Sequence, residues 1–222
     1  MVTVRARILF IEEVLGTCAA NKEIHSEFIA SKAPNAAKRE QEVAAIGVEA
    51  AMEKAMTVFP RNEKGEKIFW GYQIKGFLKA AQKTNNLLYG KGSKFYLPNY
   101  KSKMDNLIFV KAVEDDWKDT EHGIVIHEPD GVEAQDCERP LRAETAQGPR
   151  TTLAHSETCP AGSYIVADVM SRDDNLEPLI IEWLNSGMLY GIGQWRNSGK
   201  GRFLWEELDQ ETGEVIGGNR DD

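Results

Sequence analysis

The stretch Gly191-Ile-Gly-Gln-Trp-Arg-Asn-Ser-Gly-Lys-Gly-Arg-Phe203, running on into Leu204-Trp-Glu-Glu-Leu208, governs how the rest of the chain is read. Glycine at 187, 191, 193, 199 and 201 permits positive φ and close approach of main chain to a ligand or to another chain element. Arg196, Lys200 and Arg202 lie among these glycines, and no acidic residue stands between Asn185 and Trp205. A cationic loop with exposed amides suits a phosphate backbone better than a defined small molecule. The competing reading is a glycine-rich turn packed under a sheet. Two nucleotide-site patterns fail here. A P-loop needs four residues between its first Gly and its Gly-Lys-Ser/Thr, whereas Gly193 to Gly199 has five and Gly201 stands where the hydroxyl belongs. Gly191-x-Gly193 follows a helical segment rather than a strand and lacks the third glycine, which excludes a Rossmann site.

Working outward, Ser163–Met170 reads as a strand, Asp174 or Asn175 as the cap of a helix over about 176–187, and 203–208 as a further strand. At the other end, 2–11 alternates and then turns apolar, a first strand followed by the Gly16-Thr17 loop. Asn35 caps an expected helix over 36–56, and Pro60 to Gly65 forms a turn. In 71–83, Ile74, Phe77, Leu78 and Ala81 fall on one helical face, while Lys75, Lys79 and Lys83 recur every fourth residue on another stripe. Residues 89–103 read as loop, 107–113 and 123–127 as strands, and 128–162 as a long irregular excursion. The tail after Asp209 is either a short hairpin or disordered.

The chain has 222 residues and a formal net charge of -8, which argues against a uniformly basic nucleic-acid wrapper. The charge is strongly segregated. Residues 71–111 carry eight lysines against Asp105 alone, interleaved with Tyr72, Phe77, Tyr89, Phe95, Tyr96 and Tyr100. Lysine with aromatic rings is the composition of a groove that follows phosphates and stacks bases. Residues 112–138 carry ten acids against Lys118, and the last 17 residues seven acids against Arg220.

Cys18, Cys137 and Cys159 are odd in number and widely spaced, which excludes a dense disulfide framework and fits a reducing compartment. No apolar run approaches the ~20 residues that cross a bilayer, and the N-terminus enters a strand directly, so the expectation is a soluble cytoplasmic protein with no membrane partner. There is no Gly-x-Ser-x-Gly elbow and no Cys-x-x-Cys; His122 and His127 stand five apart near acids, a poor metal pattern, so neither metal nor cofactor is expected.

Four blocks, in order, together carry a resemblance. The glycine-rich segment 191–203 resembles the C-terminal glycine-rich loop of the RAMP superfamily, the RNA-binding proteins of CRISPR effector complexes, with Lys200 in place of the usual aromatic residue. The first strand with Leu15-Gly16-Thr17 is similar to the family's opening strand and glycine turn. Gln73-Ile-Lys-Gly-Phe-Leu-Lys79 resembles its first helix, and Thr152 to Ser163, with Glu157-Thr-Cys-Pro-Ala-Gly162, the exit from the thumb of its backbone subunits. The resemblance spans roughly 1–208.

It implies an α+β fold: a ferredoxin-like, RNA-recognition-motif-like antiparallel sheet, βαββαβ, with insertions at about 18–68 and 128–162, the latter a thumb-like hairpin, and an acidic tail over 209–222. It implies an RNA-binding subunit that contacts the guide RNA backbone, partnered by single-stranded guide RNA and by other CRISPR effector subunits or copies of itself. The residues carried over are Lys75, Lys79, Arg196, Lys200 and Arg202; Lys83 extends the helix stripe, and Gly191, Gly193, Gly199 and Gly201 shape the loop. Target-cleaving members use an aspartate after the opening glycine turn, where this chain offers only Glu23 and Glu27 and has no aspartate before Asp105. The implied member is therefore non-catalytic. Two alternatives remain: a stand-alone, virus-encoded relative that docks on a CRISPR complex and inhibits it, with the acidic 112–138 as its surface, and a metal-independent guide-processing endoribonuclease using His25 as general acid/base.

Overall fold

The computed structural model describes residues 1–19, 56–113, 123–145 and 148–220. The expected helix over 36–56, His25, Glu23, Glu27 and the acidic run 114–121 lie outside the described residues. The chain divides into two compact units, Met1–Val14 with Pro60–Val132 and Pro160–Asp222, and Leu15–Phe59 with Glu133–Cys159.

The first unit is built on strands β1 (Val2–Phe10), β2 (Ile108–Ala112), β5 (Tyr164–Ser171), β6 (Phe203–Leu208) and β7 (Val215–Gly218). Two further strands, β3 (Cys137–Thr145) and β4 (Gly148–Ser156), belong to the second unit. Hydrogen bonding places the first unit's strands in the order β7-β6-β1-β5-β2, every pair antiparallel. Helix α1 (Gly71–Leu88) and a short helix α2 (Tyr100–Leu107) connect β1 to β2, and α3 (Glu177–Asn185) with the single turn α4 (Gly187–Tyr190) connects β5 to β6. Counting β1, β2, β5 and β6 as first to fourth, the sheet runs fourth-first-third-second. This is the βαββαβ topology of a ferredoxin-like α+β fold, with β7 added at one edge.

Period-two patterning in β1 sends Val4, Ala6, Ile8 and Phe10 into the core, in register with Val169, Ala167, Ile165 and Phe203. Against that face pack Ile74, Phe77, Leu78 and Ala81 of α1 and Leu179, Ile180, Trp183 and Leu184 of α3. Each large apolar side chain buried this way contributes roughly 1.5–3 kcal/mol over leaving it in water. A polar contact crosses the core: Trp183 Nε1 donates to Gln82 Oε1 at 2.6 Å, both residues fully buried. The alternate residues of β1 reach the other face, where Arg5 grips Asp168 through two nitrogens (2.8 and 3.2 Å) and Arg7 and Arg220 both hold Glu206. That face is an ion-pair ladder rather than a row of aromatic rings.

Several boundaries differ from the sequence expectation. Helix α1 continues five residues past Lys83, where Asn86, a weak helix former, is held tertiarily: it donates to Leu97 O at 2.9 Å and accepts from Leu97 N at 2.9 Å. The loop expected over 89–103 ends at Pro98-Asn99, where Asn99 adopts φ 53 and starts α2. That helix has eight residues and one buried side chain, Met104, too few to print a period. Neither Asp174 nor Asn175 caps the α3 region; Asp173 Oδ1 accepts from Asn175 N at 3.1 Å and a 3₁₀ turn over Asp174–Leu176 precedes the helix. The tail is a hairpin, β7 folding back on β6, with Asn219 Oδ1 accepting from Trp205 N at 2.9 Å.

In the second unit the excursion expected to be irregular contains β3 (Cys137–Thr145) and β4 (Gly148–Ser156), a hairpin with Cys137 opposite Ser156 and Thr145 opposite Gly148. Thr57–Val58 pairs with Cys18–Ala19 and meets β4 at Ser156, where the Thr57 and Ser156 hydroxyls lie 2.7 Å apart. The three cysteines are free thiols. Among the described residues, no helix is long and apolar enough to cross a membrane.

Candidate nucleic-acid interface

The residues singled out in the sequence fall on two neighbouring parts of the first unit. Phe77 of α1 packs edge-on against Phe203, centroids 5.2 Å apart and planes at 65°, so the basic helix is tied to the strand into which the glycine-rich loop runs. Gly187, just before that loop, lies under the same Phe203 ring.

The loop closes on itself and on the exit of β1. Ile192 N donates to Gly201 O at 2.9 Å, Gly201 N to Glu13 O at 2.8 Å, and Ile11 N to Arg202 O at 2.9 Å. A Cβ on Gly201 (φ +70) would sit 1.9 Å from Ile192 O, and one on Gly191 (φ +64) 2.5 Å from Lys200 O. The glycines at 191 and 201 are thus required by one strand of the loop crossing another. The close approach anticipated from the sequence is to another chain element. Several amides expected to be exposed are consumed internally, those of Ile192, Ser198, Gly199 and Gly201 among them. Between the crossings, Trp195 takes φ 54, ψ 33, and Arg196–Ser198 form a 3₁₀ turn.

The loop cations have carboxylate partners that the sequence did not announce. Lys200 pairs with Glu13, and Arg202 Nη2 donates to Glu12 Oε1 at 2.8 Å. Both acids belong to the turn that follows β1, brought alongside by the Gly201–Glu13 and Ile11–Arg202 main-chain bonds. Arg196 is exposed and has no acidic partner among the described residues.

On α1, Lys79 pairs with Asp105 of α2, and Lys75 Nζ donates to Asp105 O at 3.1 Å while lying 5.5 Å over the Phe109 ring. Burial pushes the Lys75 ammonium below its usual value, Asp105 opposing and Lys79 adding to that shift. The Lys79 hydrogen bond holds the Asp105 carboxyl below its usual range. Lys83, one turn on, is exposed with no acidic partner among the described residues. The interleaved aromatics divide: Phe77 is core, Tyr89 and Phe95 contact each other at 5.0 Å, and Tyr72 is 67 % exposed. Among the described residues, then, Lys83 and Arg196 present open charge, while Lys79, Lys200 and Arg202 hold theirs against carboxylates.

Sequence reasoning missed Glu12, Glu13 and Asp105 as members of this surface. The signal available was the Glu12-Glu13 pair at the end of the first strand, in a fold whose fourth strand runs beside the first. It required the strand order to be used.

No family model and no curated protein matches the chain. Among solved structures, it is similar to a chain in the cryo-EM structure of the Type III-B Cmr-beta bound to cognate target RNA, with a TM-score of 0.42 and 9 % identity, covering 96 % of this chain. The present chain spans 61 % of the length of that one.

Proposed function

We propose that the chain is a non-catalytic, RAMP-type RNA-binding subunit of a CRISPR-type ribonucleoprotein, holding single-stranded guide RNA by its phosphate backbone through α1 and the glycine-rich loop. In this reading 1–208 form one RAMP-like domain with insertions at about 18–68 and 128–162, 209–222 add an acidic appendage, and the other partners are CRISPR subunits or copies of the chain.

One observation carries the proposal: a basic helix and a cationic glycine-rich loop, selected independently in the sequence, are joined through Phe77 and Phe203 in one ferredoxin-like unit. The opposite sheet face supports backbone binding over base stacking there, because Arg5, Asp168, Arg7 and Glu206 saturate one another.

The paired cations set how binding proceeds. Ion pairs at half-exposed positions such as Arg202–Glu12 contribute only about 0–1 kcal/mol. Exchanging a carboxylate for a phosphate therefore costs little, while each phosphate neutralised releases counterion. Lys83 and Arg196 make first contact, and Lys75, Lys79, Lys200 and Arg202 follow as they leave Asp105, Glu13 and Glu12. The test is titration of a labelled single-stranded RNA with the Lys75→Glu/Lys79→Glu variant. Weakened binding with little sequence preference is expected; unchanged affinity removes α1 from the interface.

A second reading, an inhibitor docking on a CRISPR complex, is favoured by the carboxylates of Glu12, Glu13 and Asp105 already occupying the cations, together with the net charge of -8. It predicts poor RNA affinity and tight binding to a protein complex, weakened by charge reversal within Glu114 to Glu121.

A further inference from the structure

Trp195 is one of two non-glycine residues with positive φ among the described residues, at φ 54 and ψ 33. For a bulky side chain the left-handed region is a true outlier, and such strain persists where the surrounding structure imposes it, most often at ligand contacts. Burial accounts for only part of this side chain. Trp183 and Trp205 are 0 % and 1 % exposed in the core, whereas Trp195 keeps 38 % of its surface accessible. The residue is presented by the 3₁₀ turn that begins at Arg196, beneath which the loop is locked by the Ile192–Gly201 and Gly201–Glu13 main-chain bonds. A rigid base thus holds a large aromatic residue partly out in solvent, next to an arginine without an acidic partner among the described residues.

We infer that Trp195 is a base-stacking residue: its indole takes one unpaired nucleobase of a bound single strand while Arg196 neutralises the adjacent phosphate. The inference rests on the RNA-binding reading and deepens it, because backbone contacts alone leave the bases unused. Every nucleobase offers a π face, so the contact adds affinity without a sequence requirement. The left-handed conformation fixes the direction in which the side chain leaves the loop, and the two neighbouring residues address the two parts of one nucleotide.

The strain makes the role separable from a structural one. Glycine accepts φ near +54 without cost, so Trp195→Gly leaves the melting temperature unchanged or higher if the ring serves a ligand, and lowers it if the ring serves packing. Binding is read by anisotropy with a labelled oligouridine and with an abasic RNA oligomer of equal length. The wild type is expected to favour oligouridine. Trp195→Ala and Trp195→Gly are expected to lose roughly ten- to a hundredfold on oligouridine and nothing on the abasic strand, with Trp195→Phe retaining most of the affinity. Equal oligouridine affinity of wild type and Trp195→Ala, an equal loss on the abasic strand, or a lowered melting temperature for Trp195→Gly overturns the inference while leaving backbone binding intact. Failure of the wild type to bind either strand overturns the RNA reading, and this inference with it.

Discussion

Arg202 donates from Nη2 to Glu12 Oε1 at 2.8 Å, and the neighbouring Lys200 pairs with Glu13, so the turn after the first strand supplies the counter-charge for the glycine-rich loop. If these carboxylates stand where phosphates bind, removing their charge unmasks the loop. Glu12→Gln/Glu13→Gln is expected to raise RNA affinity several-fold at low salt, and to steepen the dependence of log K on log salt by up to about 1.4 to the extent that exchange at Lys200 and Arg202 is incomplete in the wild type. Anisotropy titrations across a salt series measure both. Unchanged affinity and slope would show that Lys200 and Arg202 serve only the loop's own packing.

Arg196 and Lys83 present their charge to solvent. Arg196→Ala should weaken binding to any single-stranded sequence alike and reduce the salt slope by about 0.7, the loss of one phosphate contact. A change that depends on sequence would instead assign Arg196 to base recognition.

Gly201 has φ +70, and its missing Cβ would fall 1.9 Å from Ile192 O. Gly201→Ala must open the crossing that locks the loop, at a cost of about 1–3 kcal/mol or more. Urea denaturation checks the stability, and the same sample should bind RNA more weakly because the loop cations lose their common base.

Gln82 Oε1 accepts from the indole Nε1 of Trp183 in a fully buried contact at 2.6 Å. Gln82→Leu leaves that donor unsatisfied and should cost about 1–3 kcal/mol. Adding Trp183→Phe to Gln82→Leu should show coupling in a double-mutant cycle, read by denaturant unfolding.

Much of the fold was legible in the sequence because its signals are local. The alternation of Val4, Ala6, Ile8 and Phe10 marked β1, and the spacing of Ile74, Phe77, Leu78 and Ala81 marked the buried face of α1. What escaped was non-local or too short to carry a period. Helix α2 buries only Met104, and the extension of α1 to Leu88 depends on Asn86 bonding Leu97 eleven residues away. In the candidate site the cations were visible, but their carboxylates were not: Glu12 lies 190 residues from Arg202 in sequence and meets it only because β6 runs beside β1. The glycines were visible too, though the need at 191 and 201 comes from the loop crossing itself.

Glu206 links the sheet to pH. Burial pushes its carboxyl up, yet the hydrogen bonds from Arg220 and Arg7 outweigh this and hold it below its ordinary value of 4.5. A carboxyl depressed in the folded state contributes stability that is present above its unfolded value and lost as pH falls through the folded one. Glu207, raised by burial and by Glu177, acts in the opposite sense above 4.5. The melting temperature of the wild type should therefore fall below about pH 4.5 more steeply than that of Glu206→Gln, which isolates the Glu206 contribution. Parallel curves would contradict it.

The measurement that bears most directly on the central claim is the affinity of the wild type and of Lys75→Glu/Lys79→Glu for a labelled single-stranded RNA, titrated across salt concentrations. Salt-sensitive binding by the wild type, weakened for every sequence in the variant and with a slope lower by up to about 1.4 for two lost phosphate contacts, is the predicted result. A wild type that binds no RNA at low salt would contradict it.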